Sequence, residues 1–186
     1  MNGKIDESKL ITIFEKSNLS FLKNDSGLLS SNVSERSWYS RFSIYLTEQV
    51  KKSKLNGYYV DTEYNRNGNK LKTIFDNNTL EIFNITCDLI IHSRGEIYSN
   101  DNLICIEMKK SNSPESKKEE DKKRLRLLTK KSFNDVWSAD GKALPEHVCG
   151  YKLGIYYEVD IKNKFIYIEY YVDGKLLYDK FVVFEK

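Results

Sequence analysis

The stretch from Cys87 to Lys110 constrains this chain more than any other. It reads Cys-Asp-Leu-Ile-Ile-His, then a polar loop, then Asn-Leu-Ile-Cys-Ile-Glu-Met-Lys-Lys, and both arms alternate as half-buried strands do. Ser93, Arg94, Gly95, Ser99, Asn100 and Asp101 between them are turn chemistry, so the stretch predicts a β-hairpin. A period of two puts Leu103, Cys105, Glu107 and Lys109 on one face of the second arm, and Asp88, Ile90 and His92 on one face of the first. If His92 pairs with Leu103, the antiparallel register carries Ile90 to Cys105 and Asp88 to Glu107, with Cβ atoms about 5 Å apart. Carboxylates placed so repel each other, and a purely structural sheet avoids the arrangement. A divalent cation between them removes the conflict, because hard Mg²⁺ takes carboxylate oxygens at about 2.1 Å. Lys109, on the Glu107 face, then stands beside the same ion.

Before the hairpin, apolar spacing predicts a helix over residues 6–17 with Asp6 as its cap, followed by a Ser-, Asn- and Gly-rich loop over 18–33. A second helix is expected after Ser34, running to about Lys52, with Trp38, Tyr39, Phe42, Tyr45 and Leu46 as its apolar stripe. Glu35 falls on the same side as that stripe. Two readings fit it: a first-turn acid meeting the helix dipole, or an acid aimed at the metal site. Residues 58–66 alternate as a strand with Tyr59, Asp61, Glu63 and Asn65 on one face. That face is either wet or turned to a cleft. In the second case Glu63 is an additional or supporting ligand and Arg66 holds a phosphate. Residues 67–80 read as a loop or short helix.

After Pro114, a helix is expected from about Glu115 to Lys131, with Asp121 one turn above Leu125. Residues 109–131 carry ten Lys or Arg against four acids, although the whole chain has a formal net charge of only +3. Such a helix is either a solvated, ion-paired face or a phosphate-binding one, for which Lys110, Lys122, Lys123, Arg124 and Arg126 are the candidates. The last part predicts three strands, about 148–158, 164–172 and 176–184, with Asp173-Gly174 as a hairpin turn. Its Tyr and Phe residues suit a core or a dimer face, and base stacking is the alternative.

At 186 residues, 40% hydrophobic and 13% aromatic, the chain has material for one folded domain. It divides into an N-terminal helical part (1–55), a catalytic core (56–131) and aromatic-rich C-terminal strands (145–186). Cys87, Cys105 and Cys149 are odd in number and contain no CxxC, which points to buried reduced thiols rather than zinc or disulfides. No apolar run suggests a leader or a membrane span, so a cytoplasmic protein is expected. GxSxG and glycine-rich phosphate loops are absent. His92 reads as a surface histidine at a strand end, and His147 has no role. A glycosidase could use the same two acids, but it would leave Lys109 unexplained.

Asp88, a spacer, and then Glu107-Met108-Lys109 resemble the PD-(D/E)xK nuclease superfamily, with Glu63-Tyr64-Asn65-Arg66 and Asp121, Leu125 and Thr129 adding a looser likeness. The likeness covers roughly residues 35–129, and Cys87 stands where the pattern usually has proline. The resemblance implies an α/β fold. Its centre would be a mixed β-sheet flanked by helices, a restriction endonuclease-like core of order αβββαβ, here with a C-terminal antiparallel extension. It further implies Mg²⁺ or Mn²⁺ held by Asp88, Glu107, the Met108 carbonyl and Glu35, with Lys109 acting on the attacking water or the phosphoryl oxygen. Glu63 and Asp121 would support that shell. DNA is the expected substrate, RNA is the alternative, and a homodimer follows by analogy. Two rivals remain open: a nucleic-acid-binding protein of this fold without turnover, and a protein-interaction module using the aromatic C-terminal sheet.

Overall fold

Asp6 accepts a hydrogen bond from the Lys9 amide at 2.9 Å and so starts α1, Glu7–Ser30. The expected loop over 18–33 is helical as far as Ser30. Ser20 and Asn24, whose composition suggested a loop, bond the carbonyls of Lys16 and Ser20 one turn back and stay in the helix. Phe21 and Leu29 supply the buried face that the local pattern concealed. A kink at Asp25 interrupts the helix, and Arg41 and Tyr45 hold that carboxylate. α2 spans Glu35–Lys52 behind Ser34, as expected, although Ser34 makes no side-chain cap bond.

This computed structural model describes residues 5–31, 33–64, 86–97, 100–130 and 150–185, together with the backbone of five short strands. Those five are β2 (Arg66–Asn67), β3 (Lys70–Leu71), β4 (Thr73–Asp76), β5 (Glu81–Asn84) and β8 (Val136–Ser138). β2 pairs with β3, and β5, β4 and β8 form a three-stranded sheet, so the loop or helix expected over 67–80 is extended where it is described. His147, Cys149 and the beginning of the strand expected from 148 lie outside the described residues.

The main sheet holds β1 (Tyr59–Thr62), β6 (Leu89–His92), β7 (Asn102–Lys110), β9 (Leu153–Asp160), β10 (Phe165–Val172) and β11 (Lys175–Val183), in that spatial order. Every neighbouring pair is antiparallel except β7 and β9, which run parallel. A parallel pair needs a crossover, and the chain between the two strands contains α3, Glu115–Thr129. The molecule is therefore α/β, a mixed six-stranded sheet with helices on its faces. Asp173 and Gly174, both at positive φ, make the β10–β11 turn as expected.

Alternation sends the strands into two cores. On one face, Phe14, Phe21 and Phe42 of α1 and α2 meet Ile106, Tyr157 and Tyr170, with Phe14 edge-on to Phe42, Tyr157 and Tyr170 at 5.7, 6.2 and 5.9 Å. On the other, Leu125 and Leu128 of α3 cover Ile90, Cys105, Tyr156 and Tyr171. β9 and β10 are thus largely core, while β11 at the edge of the sheet is exposed along most of its length. Phe165, Tyr167 and Phe181 form a separate ring cluster at the outer strands, where Phe181 is 64% exposed. No helix among the described residues is long and apolar enough to cross a membrane.

Candidate active site

The β6–β7 ladder pairs Leu89 with Ile106, Ile90 with Cys105 and Ile91 with Ile104. The ladder ends at the Leu89–Ile106 pair; Asp88, the next residue, stands outside β6 and close enough to Glu107 for the two carboxyls to repel. At the other end the expected pairing of His92 with Leu103 does not form. The register slips between Ile91 and His92, so His92 pairs with Asn102 and Leu103 joins the α1–α2 core instead of the Glu107 face.

Asp88 lies just before β6, where its Oδ2 accepts the Met108 amide at 2.7 Å and its carbonyl accepts the Glu63 amide at 3.1 Å. Burial raises its carboxyl pKa to about 6, against the pull of the Met108 N–H and of Lys109. Glu107, on β7, is 2% exposed. Burial pushes its carboxyl up as well, and Arg124 of α3 opposes that shift by direct contact between Nη1 and Oε1.

The same Nη1 donates to Asp121 Oδ1 at 3.1 Å, and the other Asp121 oxygen lies 2.8 Å from Lys109 Nζ. Glu35 arrives from the first turn of α2. Its Oε1 accepts the Lys110 amide at 2.7 Å, and its Oε2 is 3.8 Å from Lys109 Nζ. Four acids from four elements, Glu35, Asp88, Glu107 and Asp121, therefore surround two cations, Lys109 and Arg124. Glu35 is thus both an acid in the first turn of α2 and a carboxylate turned toward β7.

Burial pulls the Lys109 pKa down, but Asp121, Glu35 and Asp88 outweigh burial and raise it. Glu63 does not reach this cluster. Its backbone turns left-handed after β1 (φ 49), and its carboxylate forms a bidentate pair with Arg36 and accepts from Tyr39. Those partners hold the Glu63 carboxyl below the usual range. Glu63 is thus a brace between the end of β1, Asp88 and α2. Met108 donates its amide to Asp88 while its side chain enters the α1–α2 core.

The basic helix needs a larger correction. Three of its cations turn inward, because the sheet face beneath α3 carries acids in register across strands. Glu107 sits beside Tyr156 and then Glu169, and Lys109 sits beside Glu158. Lys118 pairs with Glu158 at 3.2 Å, Lys122 with Glu169 at 3.0 Å, and Arg124 with Glu107. Lys122 and Arg124 are therefore internal counter-charges rather than outward phosphate contacts. Lys110 lies over the Trp38 ring at 5.5 Å, and Arg126 lies over Tyr171 at 5.3 Å while remaining 42% exposed. Lys123 is half-buried on the same helix, and the Arg66 side chain lies outside the described residues.

Sequence reasoning also missed a neighbouring cluster. His92 is 1% exposed and not superficial, with Nε2 at 2.8 Å from Asp61 Oδ2, and Arg94 grips the same carboxylate. Cys87 and Cys105 are free buried thiols, as expected. The overlooked signal for Arg124 was its spacing. Lys118, Asp121, Leu125 and Leu128 share a helical face, and Arg124 is three residues from Asp121.

Carboxylate oxygens of this number suit Mg²⁺ or Mn²⁺ chemically. As they stand, however, no three His, Cys, Asp or Glu side chains among the described residues converge closely enough to hold an ion, since Arg124 draws Glu107 and Asp121 to itself. Compared with known proteins, the chain matches no family model, no curated protein and no solved structure.

The raised Asp88 pKa has a consequence for stability. A carboxyl that binds its proton more tightly when folded contributes stability at low pH, and that contribution is lost as pH rises from about 4 through about 6. A shift of about two units corresponds to about 3 kcal/mol. Asp88→Asn keeps an oxygen for the Met108 amide and removes the titration. Urea melts of both proteins between pH 4 and 7 should show the variant gaining on the wild type as pH rises. Parallel profiles would exclude a raised Asp88.

Proposed function

We propose that this chain is a Mg²⁺- or Mn²⁺-dependent nuclease of the PD-(D/E)xK type that hydrolyses DNA. The observation that carries the reading is Asp88, one residue ahead of β6, brought beside Glu107 of β7, with Lys109 two residues on and Glu35 closing the group from a helix. The element order α2, β1, β6, β7, α3, β9, with β9 parallel to β7, supports a restriction endonuclease-like αβββαβ core.

Asp88, Glu107 and Glu35, with the main chain at Met108, would hold the metal, which when bound supplies positive charge that makes water nucleophilic near neutral pH and offsets charge growing on the phosphate. The chain's own residues do the rest. Lys109 Nζ, between Asp121 and Glu35, holds the attacking water or a phosphoryl oxygen and passes a proton. Asp121 fixes Lys109 in place at 2.8 Å. Arg126, Lys123 and Lys110 flank the site for flanking phosphates. A homodimer would place two such sites on a duplex.

The test is cleavage of supercoiled plasmid by the purified chain with Mg²⁺ or Mn²⁺, stopped by EDTA, with single-stranded DNA and RNA run alongside to define the substrate form. One observation favours a second reading, DNA binding without turnover: Arg124 already occupies Glu107 and Asp121. Salt-dependent binding with no cleavage under either metal would select it.

A further inference from the structure

We infer that Arg124 is a built-in stand-in cation, held between Glu107 and Asp121 in the metal-free protein and expelled when a divalent ion enters. The inference rests on the proposed nuclease reading. It is carried by the charge balance and hydrogen bonding of the cluster itself.

Among the described residues, four carboxyl groups, Glu35, Asp88, Glu107 and Asp121, meet two cations, Lys109 and Arg124. Exchanging a monovalent guanidinium for a divalent ion adds positive charge to that group. Arg124 also fits its place imperfectly. Nη1 serves both carboxylates, while Nε is buried with no hydrogen-bond partner among the described residues. A buried donor left unmade favours any alternative pose that satisfies it. The way out is short, because the Arg124 side chain keeps 17% of its exposure beside Glu107 at 3%. Glu107 cannot follow, since it belongs to β7 and is paired with Tyr156 of β9. The freed guanidinium, still anchored on α3 at the rim, presents a planar fork suited to a phosphate. Metal entry would thus both complete the ligand set and release a phosphate-binding group.

The experiment is calorimetric titration of Mn²⁺ into the metal-free full chain, comparing wild type, Arg124→Gln and Glu107→Gln. Arg124→Gln should bind Mn²⁺ at least about tenfold more tightly than wild type, and Mn²⁺ should raise its melting temperature by more. Glu107→Gln should lose binding. Metal bound by Arg124→Gln but not by wild type also supports the inference. Equal or weaker binding by Arg124→Gln, with wild type binding normally, overturns it and leaves the nuclease reading standing. No binding by wild type or Arg124→Gln at millimolar Mn²⁺ overturns both. Should Arg124→Gln fail to fold, the wild type alone decides. The Arg124 Nε–H signal in NMR should be protected from exchange without metal and lose that protection on adding Mg²⁺, and an unchanged signal refutes the expulsion.

Discussion

Lys109→Ala should reduce metal-dependent DNA cleavage by about 10³-fold while the protein stays folded. Groups that orient a nucleophile or move a proton contribute about 10²–10⁴-fold each, and Lys109 is the only cation of the cluster on the same strand as Glu107. The fold should survive because Arg124 still reaches Asp121 at 3.1 Å and Glu35 retains the Lys110 amide at 2.7 Å. Lys109→Arg keeps the charge but moves it on a longer, planar group, so it should rescue folding energetics and little of the cleavage. Plasmid nicking and circular dichroism on the two variants check this together. Cleavage by Lys109→Ala at near wild-type rate would sink the assignment of Lys109.

The second large effect concerns the distance between α3 and the sheet. Gly154 of β9 lies beside Cys105 of β7, and a Cβ added there would stand 2.9 Å from Thr129 Cγ2 and 3.3 Å from Tyr171 Cβ. Tyr171 is buried in a strand, and Thr129 is pinned through its hydroxyl to the Leu125 carbonyl, so neither yields easily. Gly154→Val should therefore cost about 2–3 kcal/mol, lowering the melting temperature by about 5–10 °C. It should also pry Asp121 and Arg124 away from β7. A thermal melt reads the first effect, and the metal titration of the variant reads the second. A stable variant with unaltered metal affinity would mean that α3 is not clamped where Gly154 suggests.

The register of the hairpin was legible, because a period of two pairs Ile90 with Cys105 as observed and carries Asp88 toward Glu107. Its expected half-buried character was not found: β6 is buried throughout and β7 from Asn102 to Met108, so both faces are covered. The slip at His92 was not legible, since a bulge depends on how the loop closes and not on which faces are apolar. Glu63 misled for a related reason: alternation assumes the strand continues, and a left-handed residue ends it and swings the carboxylate to Arg36. The second half of α1 was hidden by Ser and Asn side chains that satisfy themselves on the preceding turn, so polarity there signals no break. The charge of α3 was plain in composition. Its direction was set by Glu107, Glu158 and Glu169, which neighbour each other only after β7, β9 and β10 have assembled in mixed orientation.

That inward direction bears on how tightly the molecule can hold a polyanion. Lys118 and Lys122 are committed to glutamates beneath them, so fewer cations of this helix are left to neutralise phosphates and release the counterions condensed on them. On the proposed nucleic-acid reading, that design trades grip for alignment. The hold on a backbone would weaken only gently as ionic strength climbs, and selectivity would come from what the buried cluster orients rather than from what the surface attracts.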